Sequence, residues 1–187
     1  MDDRTFVESR LSIDGITDVN IVTLDFESYY SDDYTLSKMT TESYIRDPRF
    51  EAHGCAIRFP TTSTTDWWDG SELKSVFSDI DWSKTAVLAH HAQFDGLILS
   101  HHYGIKPAFW FDTLSMARLI LGNHLSVGLD SLAKHFGLAG KKIDYSSFKG
   151  KHWGDMSEST RQMLAAGCCH DVEITWCLFE KIIRGES

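Results

Sequence analysis

No run of apolar residues in this 187-residue sequence approaches the roughly 18–20 that a membrane-spanning helix needs, which argues against a transmembrane role. No secretory leader is expected either. Met1-Asp2-Asp3-Arg4 is charged and no apolar segment follows it, so a cytoplasmic location is expected. Paired cysteines at metal-ligand spacing are also absent. Cys55 stands alone, Cys168 and Cys169 are adjacent, Cys177 follows, and no CxxC occurs. Reduced, partly buried thiols are therefore expected, not a disulfide framework or a metal or redox centre. Positive charge is scarce: 18 Lys and Arg face 27 Asp and Glu, a net charge of −9. Phosphate affinity is carried by Lys and Arg, so such a chain does not hold duplex DNA by electrostatics alone. Nucleic-acid chemistry here needs counter-charge from elsewhere, and divalent metal ions would supply it.

With 42% hydrophobic and 24% charged residues, and neither internal repeat nor low-complexity linker, the sequence reads as one globular domain over 1–187. Nine acids and two bases fall in residues 1–33, so the first 15 or so read as a loosely held acidic tail. The rest is near balance. Lys141 to Lys151 carries four Lys against Asp144, either a solvated loop or a segment contacting phosphate.

Asn20–Phe26 has the residues of a strand, as do Cys55–Phe59, Thr64–Trp68, Thr85–His90 and Ala108–Phe111. The second and third are joined by a Thr/Ser run, which suggests a hairpin or meander. Helical spacing covers Leu73–Ile80, Phe94–Tyr103, Thr113–Leu121 and the group Leu129, Leu132, Ala133 and Phe136. Residues 138–157 look like a loop. Ser157 or Ser159 caps a final helix running to about Arg184, with Leu164, Cys168, Asp171, Thr175, Leu178 and Ile182 on one face. Strands first, then alternation, then helices predicts an α/β fold with a mixed five-stranded sheet flanked by helices.

Four carboxylates stand out by position. Asp25 and Glu27 end the first strand two residues apart, hence on one face. Asp95 follows the fourth strand at the head of a helix, and Asp171 interrupts the apolar stripe of the last helix. Ligands of open α/β sheets collect at strand ends. Taken singly, an Asp at a strand end or helix start is usually a cap; Asp171 is the exception, because a carboxylate on a core-facing stripe is uncommon without a partner. Four clustered carboxylates repel one another unless cations neutralise them. An all-oxygen donor set suits Mg²⁺ or Mn²⁺ over Zn²⁺, and two such ions a few ångströms apart support phosphodiester cleavage. The pairs His90-His91 and His101-His102 are not at zinc-site spacing. Trp67-Trp68 on a strand would send one ring inward and one outward, where an exposed Trp is a candidate partner contact.

Asp25-Phe26-Glu27-Ser28, His91-Ala92-Gln93-Phe94-Asp95 and Asp171-Val172-Glu173-Ile174-Thr175, in that order, resemble the three motifs of the DEDD (DnaQ-like) 3′–5′ exonuclease superfamily. The likeness is greatest to the proofreading domains of phage-type family A DNA polymerases. Secondary landmarks agree: Tyr44-Ile45-Arg46-Asp47-Pro48, Trp67-Trp68-Asp69-Gly70, Phe111-Asp112-Thr113, and Leu129-Asp130-Ser131-Leu132-Ala133 with Gly137-Leu138. The resemblance spans roughly residues 20–184. It implies an RNase H-like fold and two-metal-ion removal of nucleotides from single-stranded 3′ ends, DNA ahead of RNA. It also implies a DNA polymerase partner and, for a phage protein, the host cytoplasm. By similarity, Asp25 bridges two Mg²⁺ or Mn²⁺ ions, Glu27 and Asp171 complete the site that activates water, and Asp95 supports the second ion. Phe26, Ser28, His91 and Phe94 fall where the family lines the pocket of the terminal nucleotide.

Two departures stand out. The family carries Tyr four residues, or His five residues, before the last Asp; here those positions are Gly167 and Ala166. His91 also stands where the family usually has Asn. Tyr145 or His152, from the loop over 141–157, is a candidate to reach in beside Gly167. The competing reading is a catalytically weakened nucleic-acid-binding or polymerase-interaction module that keeps the fold.

Overall fold

Strand β1 (Asn20–Ser28) runs down the middle of the sheet, buried on both faces along most of its length. In the computed structural model, which describes residues 19–62, 64–122, 126–140 and 143–186, β2 (Ala52–Arg58) and β3 (Thr65–Asp69) add to one side as an antiparallel meander. Parallel strands β4 (Thr85–Ala89) and β5 (Phe109–Asp112) add to the other, giving the order β3-β2-β1-β4-β5. The connections explain the mixture. A short turn suffices between antiparallel neighbours, whereas parallel ones need a crossover. Helix α2 (Leu73–Ser78) lies in the connection before β4, and α3 (Ala92–Tyr103) in that between β4 and β5. Helices α4 (Thr113–Leu121), α5 (Leu129–His135) and α6 (Glu158–Arg184) follow. The expected mixed, helix-flanked sheet is the observed architecture. The acidic tail, Lys141 and Lys142 lie outside the described residues.

The parity of β1 divides the core. Val22, Leu24 and Phe26 pack with Ile57, Phe77, Val87, Ile98 and Leu99 in one apolar layer. Val19 and Ile21 pack with Ala86, Leu88 and Phe179 in another, against α6. Fully burying side chains of this size is worth about 1.5–3 kcal/mol each. Ser157, the first of the two predicted caps, accepts from the Thr160 N–H and starts α6, and Gly185 ends it in the left-handed region at φ 72°.

Three details differ from expectation. A six-residue helix, α1 (Thr41–Arg46), capped by Thr40, precedes β2; it buries only Tyr44 and Ile45, too few positions to show a period. Strand β2 starts at Ala52, three residues earlier than its apolar run. A Cβ at Gly54 would lie 2.2 Å from the Trp67 ring on β3, so the strand needs glycine there. Residues 138–157 contain two 3₁₀ turns, Tyr145–Phe148 and Trp153–Asp155. The second sets Trp153 against Trp67 (centroids 5.7 Å apart), so Trp67 is half-buried and not presented as an outer face.

Candidate active site

Alternation along β1 sends Asp25 and Glu27 to the side opposite Phe26. Asp25 pairs with Ala56 on β2, and Ala56 packs on Cys168 and Val172 of α6, so Asp25 faces the long helix. The Cys168 thiol donates to the Asp25 carbonyl at 3.3 Å and lies 3.6 Å from its Oδ2. The register of β1 against β2 shifts between Glu27 and Ser28, ending the regular ladder just where the acids stand.

Asp95 arrives from the other side of the strand end. It sits in the first turn of α3, 1% exposed, and accepts a hydrogen bond from the Phe26 N–H at 3.1 Å. Burial first, then the neighbouring Asp25 charge, push its carboxyl well above the ordinary range; the Phe26 bond works against them. The sharp entry into α3 is made by His91, at φ 71° the only non-glycine residue in the left-handed region among those described. Asn, Asp and His tolerate that conformation best, which gives a physical reason for either His or Asn at this position. The His91 N–H donates to Asp112 Oδ1 at 2.8 Å. Asp112 also caps α4, accepting from Leu114 N–H and Ser115 Oγ. Burial raises the Asp112 carboxyl, but bonds from Ser115, His91, Ala92 and Leu114 outweigh it and hold the group below its usual value.

Asp171 comes from α6 and is 2% exposed. The Tyr145 hydroxyl, from the first 3₁₀ turn, donates to its Oδ2 at 3.0 Å. Burial, then Glu27 and Asp171, push that hydroxyl far above its ordinary pKa, so it stays protonated. Gly167 lies one turn earlier on the same helix face. A Cβ there would fall 2.1 Å from Ile143 Cδ1 and 3.4 Å from the Tyr145 oxygen. Of the two residues expected from the loop, Tyr145 reaches the site. His152 instead bonds Glu51 and stacks on Tyr29 with centroids 4.0 Å apart.

Asp25, Glu27, Asp95, Asp171 and Tyr145 border one cavity of about 240 Å³. His91 and Phe94 also line it. Phe26 contributes to its wall, although its ring packs between Phe77 and Tyr103. Ser28 is not among the lining residues; its Oγ bonds the Tyr44 hydroxyl at 2.9 Å. Sequence reasoning missed Leu36, a 43% exposed apolar side chain at the cavity rim in an otherwise polar stretch, with no periodicity to flag it. A larger groove of about 530 Å³ runs along another side of α3 beside Gly96 and Trp110. Its only titratable lining group is Glu42, whereas the four carboxylates line the smaller cavity.

Among the described residues the tightest set of potential metal ligands is Asp25, Glu27 and Cys168, with ligand atoms within 4.8 Å of one another. Burial, then Asp25 and Glu27, push the Cys168 thiol well up, so it remains a neutral S–H. The donors that remain are carboxylate oxygens, which fit a hard divalent cation.

Residues 15–184 match the family model described as 3′–5′ exonuclease. Among solved structures, Trypanosoma brucei RNase D superposes with a TM-score of 0.66 at 15% identity, covering 90% of this chain and 59% of that one. Brucella melitensis NrnC gives 0.60 at 16%, covering 89% and 76%. The catalytic core of Trypanosoma brucei RRP6, a C496S mutant, gives 0.59 at 14%, covering 88% and 41%. NrnC has also been solved with bound Mg²⁺ and bound to pGG, and RNase D in complex with RNA U12. No curated protein sequence matches the chain. No helix among the described residues is long and apolar enough to cross a membrane. The likeness to the solved structures establishes the fold. The family match extends over nearly the whole sequence and takes in the strand, helix and loop that border the acidic cavity: the chain belongs to the DEDD 3′–5′ exonuclease family.

Proposed function

We propose that the chain is a divalent-metal-dependent exonuclease that removes nucleotides one at a time from single-stranded 3′ ends, DNA ahead of RNA, and works beside a DNA polymerase. The observation that carries this reading is the convergence of Asp25, Glu27, Asp95 and Asp171, from three separate elements, on one cavity. Those four would hold two Mg²⁺ or Mn²⁺ ions. When bound, such ions lower the pKa of water toward neutrality and offset the charge of the phosphate. This also answers the charge deficit, since a chain of net charge −9 has little else to draw a phosphate to this cavity.

The chain's own residues supply position. The Phe26 N–H fixes Asp95, and the β1–β2 ladder fixes Asp25. Tyr145 holds Asp171 from the loop beside α6. In hydrolysis a water oxygen bonds to the terminal phosphorus as the bond from phosphorus to O3′ breaks. The water's proton ends on the departing O3′, leaving a nucleoside 5′-monophosphate and a shortened strand with a new 3′-hydroxyl. Phe94 and Leu36 give the terminal base an apolar seat, which tolerates every base because stacking and apolar contact do not read hydrogen-bonding edges.

The test is hydrolysis of 5′-labelled single-stranded DNA and RNA oligonucleotides with Mg²⁺ or Mn²⁺, with and without chelator. A ladder shortening from the 3′ end, abolished by chelator and faster on DNA, is the expected outcome. Binding without cleavage would instead favour the catalytically weakened module.

A further inference from the structure

Gly167 has no conformational reason to be glycine. It lies inside α6, on the buried face, and is not among the residues at positive φ. A glycine in a helix interior costs about 1 kcal/mol relative to alanine. What the position does require is space: a Cβ would penetrate the Ile143 side chain and touch the Tyr145 hydroxyl oxygen. The glycine is thus explained by the close approach of the loop that precedes α6.

That loop is built to deliver Tyr145. The Tyr30 hydroxyl donates to the Tyr145 carbonyl, and the Gly150 N–H donates to the Tyr30 carbonyl at 2.8 Å, so one tyrosine holds the loop at two points. Phe148, three residues on, is buried against Met156 and Leu164. Between these anchors the Tyr145 hydroxyl donates to Asp171 and faces the cavity that Asp25 and Glu27 border. A hydroxyl has one proton and two acceptor lone pairs. In this arrangement the proton goes to Asp171 Oδ2, and the bond fixes the orientation of that carboxylate.

We propose that Tyr145 is the positioning residue of the reaction, orienting Asp171, and that Gly167 is the vacancy on α6 that admits it. The inference rests on the nuclease reading and names one of its parts. It accounts for a tyrosine and a glycine 22 residues apart by a single contact.

The test uses the full chain. Tyr145→Phe removes one oxygen and keeps the ring. It should lower kcat on a single-stranded oligonucleotide about 10- to 100-fold, with KM within about twofold of the parent. It should also weaken Mn²⁺ binding to the nucleotide-free protein, by calorimetry, about tenfold. Gly167→Ala should reproduce the kcat loss by displacing Ile143, and Ile143→Ala in the same chain should restore it, a rescue that general destabilisation does not give. Parental kcat and Mn²⁺ affinity in Tyr145→Phe would overturn the assignment, as would a Gly167→Ala loss that Ile143→Ala leaves in place. If the parent itself cleaves nothing, the nuclease reading fails separately. The Mn²⁺ affinities then still decide: a weakened one upholds Tyr145 as the group that orients Asp171, and an unchanged one rejects it.

Discussion

The two sides of the cavity are held by different means. On the strand side, Asp25 and Glu27 stand on the central strand, and Asp95 is locked by a backbone N–H of that same strand. Asp95 lies 69 residues from Phe26 in the chain, but the parallel pairing of β4 with β1 carries it there. On the helix side, Asp171 sits on α6 and its hydroxyl partner arrives from a loop anchored by Tyr30 and by the packing of Phe148. A sheet fixes side chains through a ladder of neighbours, whereas a loop does so through a few discrete contacts. The strand side is therefore expected to fail through chemistry and the helix side through geometry.

Asp25→Ala gives the largest effect and the cleanest test of the strand side. Activity should fall to the level measured with chelator while the thermal midpoint of the metal-free protein holds or rises, because one of several crowded negative charges is gone. A variant that still cleaves would remove the strand side from the reaction altogether. Asp95→Asn should also abolish cleavage, by oligonucleotide assay, and should raise the metal-free midpoint more clearly. The carboxyl is buried beside Asp25 and held well above its ordinary pKa, so the folded state keeps a proton that the unfolded state has released. Its ionisation removes stability as pH rises from the ordinary carboxylate range through the raised value. The amide has no such loss, so its advantage over the parent should grow with pH in chelator.

Asp112→Ala removes the cap of α4 and the acceptor for the His91 N–H, and should cost about 1–2 kcal/mol in denaturant unfolding. The pH dependence runs opposite to that of Asp95. Asp112 is held below its usual value, so its contribution is present above the ordinary carboxylate range and is lost as pH falls through the folded-state value. Asp112→Asn should flatten the acid side of the stability profile. The smallest effect is expected at the rim: Leu36→Ala should raise KM a few-fold, about 1 kcal/mol of lost apolar contact, with kcat unchanged. An equal loss in kcat would mean that this side chain orients the scissile phosphate as well.

The same asymmetry decides what could be read in the sequence. On the strand side, period two at Asp25 and Glu27 and the turn before Asp95 are local signals. On α6, Asp171 shows as a carboxylate in an apolar stripe, and the helix starts at Ser157 as its cap chemistry implies. Tyr145 is different. Its neighbours do not say which way the loop runs, because that path is set by the packing of Phe148 together with Tyr30, more than a hundred positions earlier. The sequence narrowed the choice to Tyr145 or His152, and His152 went instead to Glu51 and Tyr29. Leu36 and α1 were hidden for a related reason: one apolar residue has no period, and six residues make fewer than two turns. Ser28 shows the converse, since a position in the right motif spends its hydroxyl on Tyr44.

The central strand devotes its even-numbered residues from Val22 to Phe26 to oil and its odd-numbered Asp25 and Glu27 to acid. Removing a single residue within β1 before Leu24 would exchange the two inventories, delivering Leu24 and Phe26 to the cavity and sinking both acids into the apolar layer. A change of two residues would keep the faces yet slide both acids about 7 Å along the strand, away from Asp95 and Asp171.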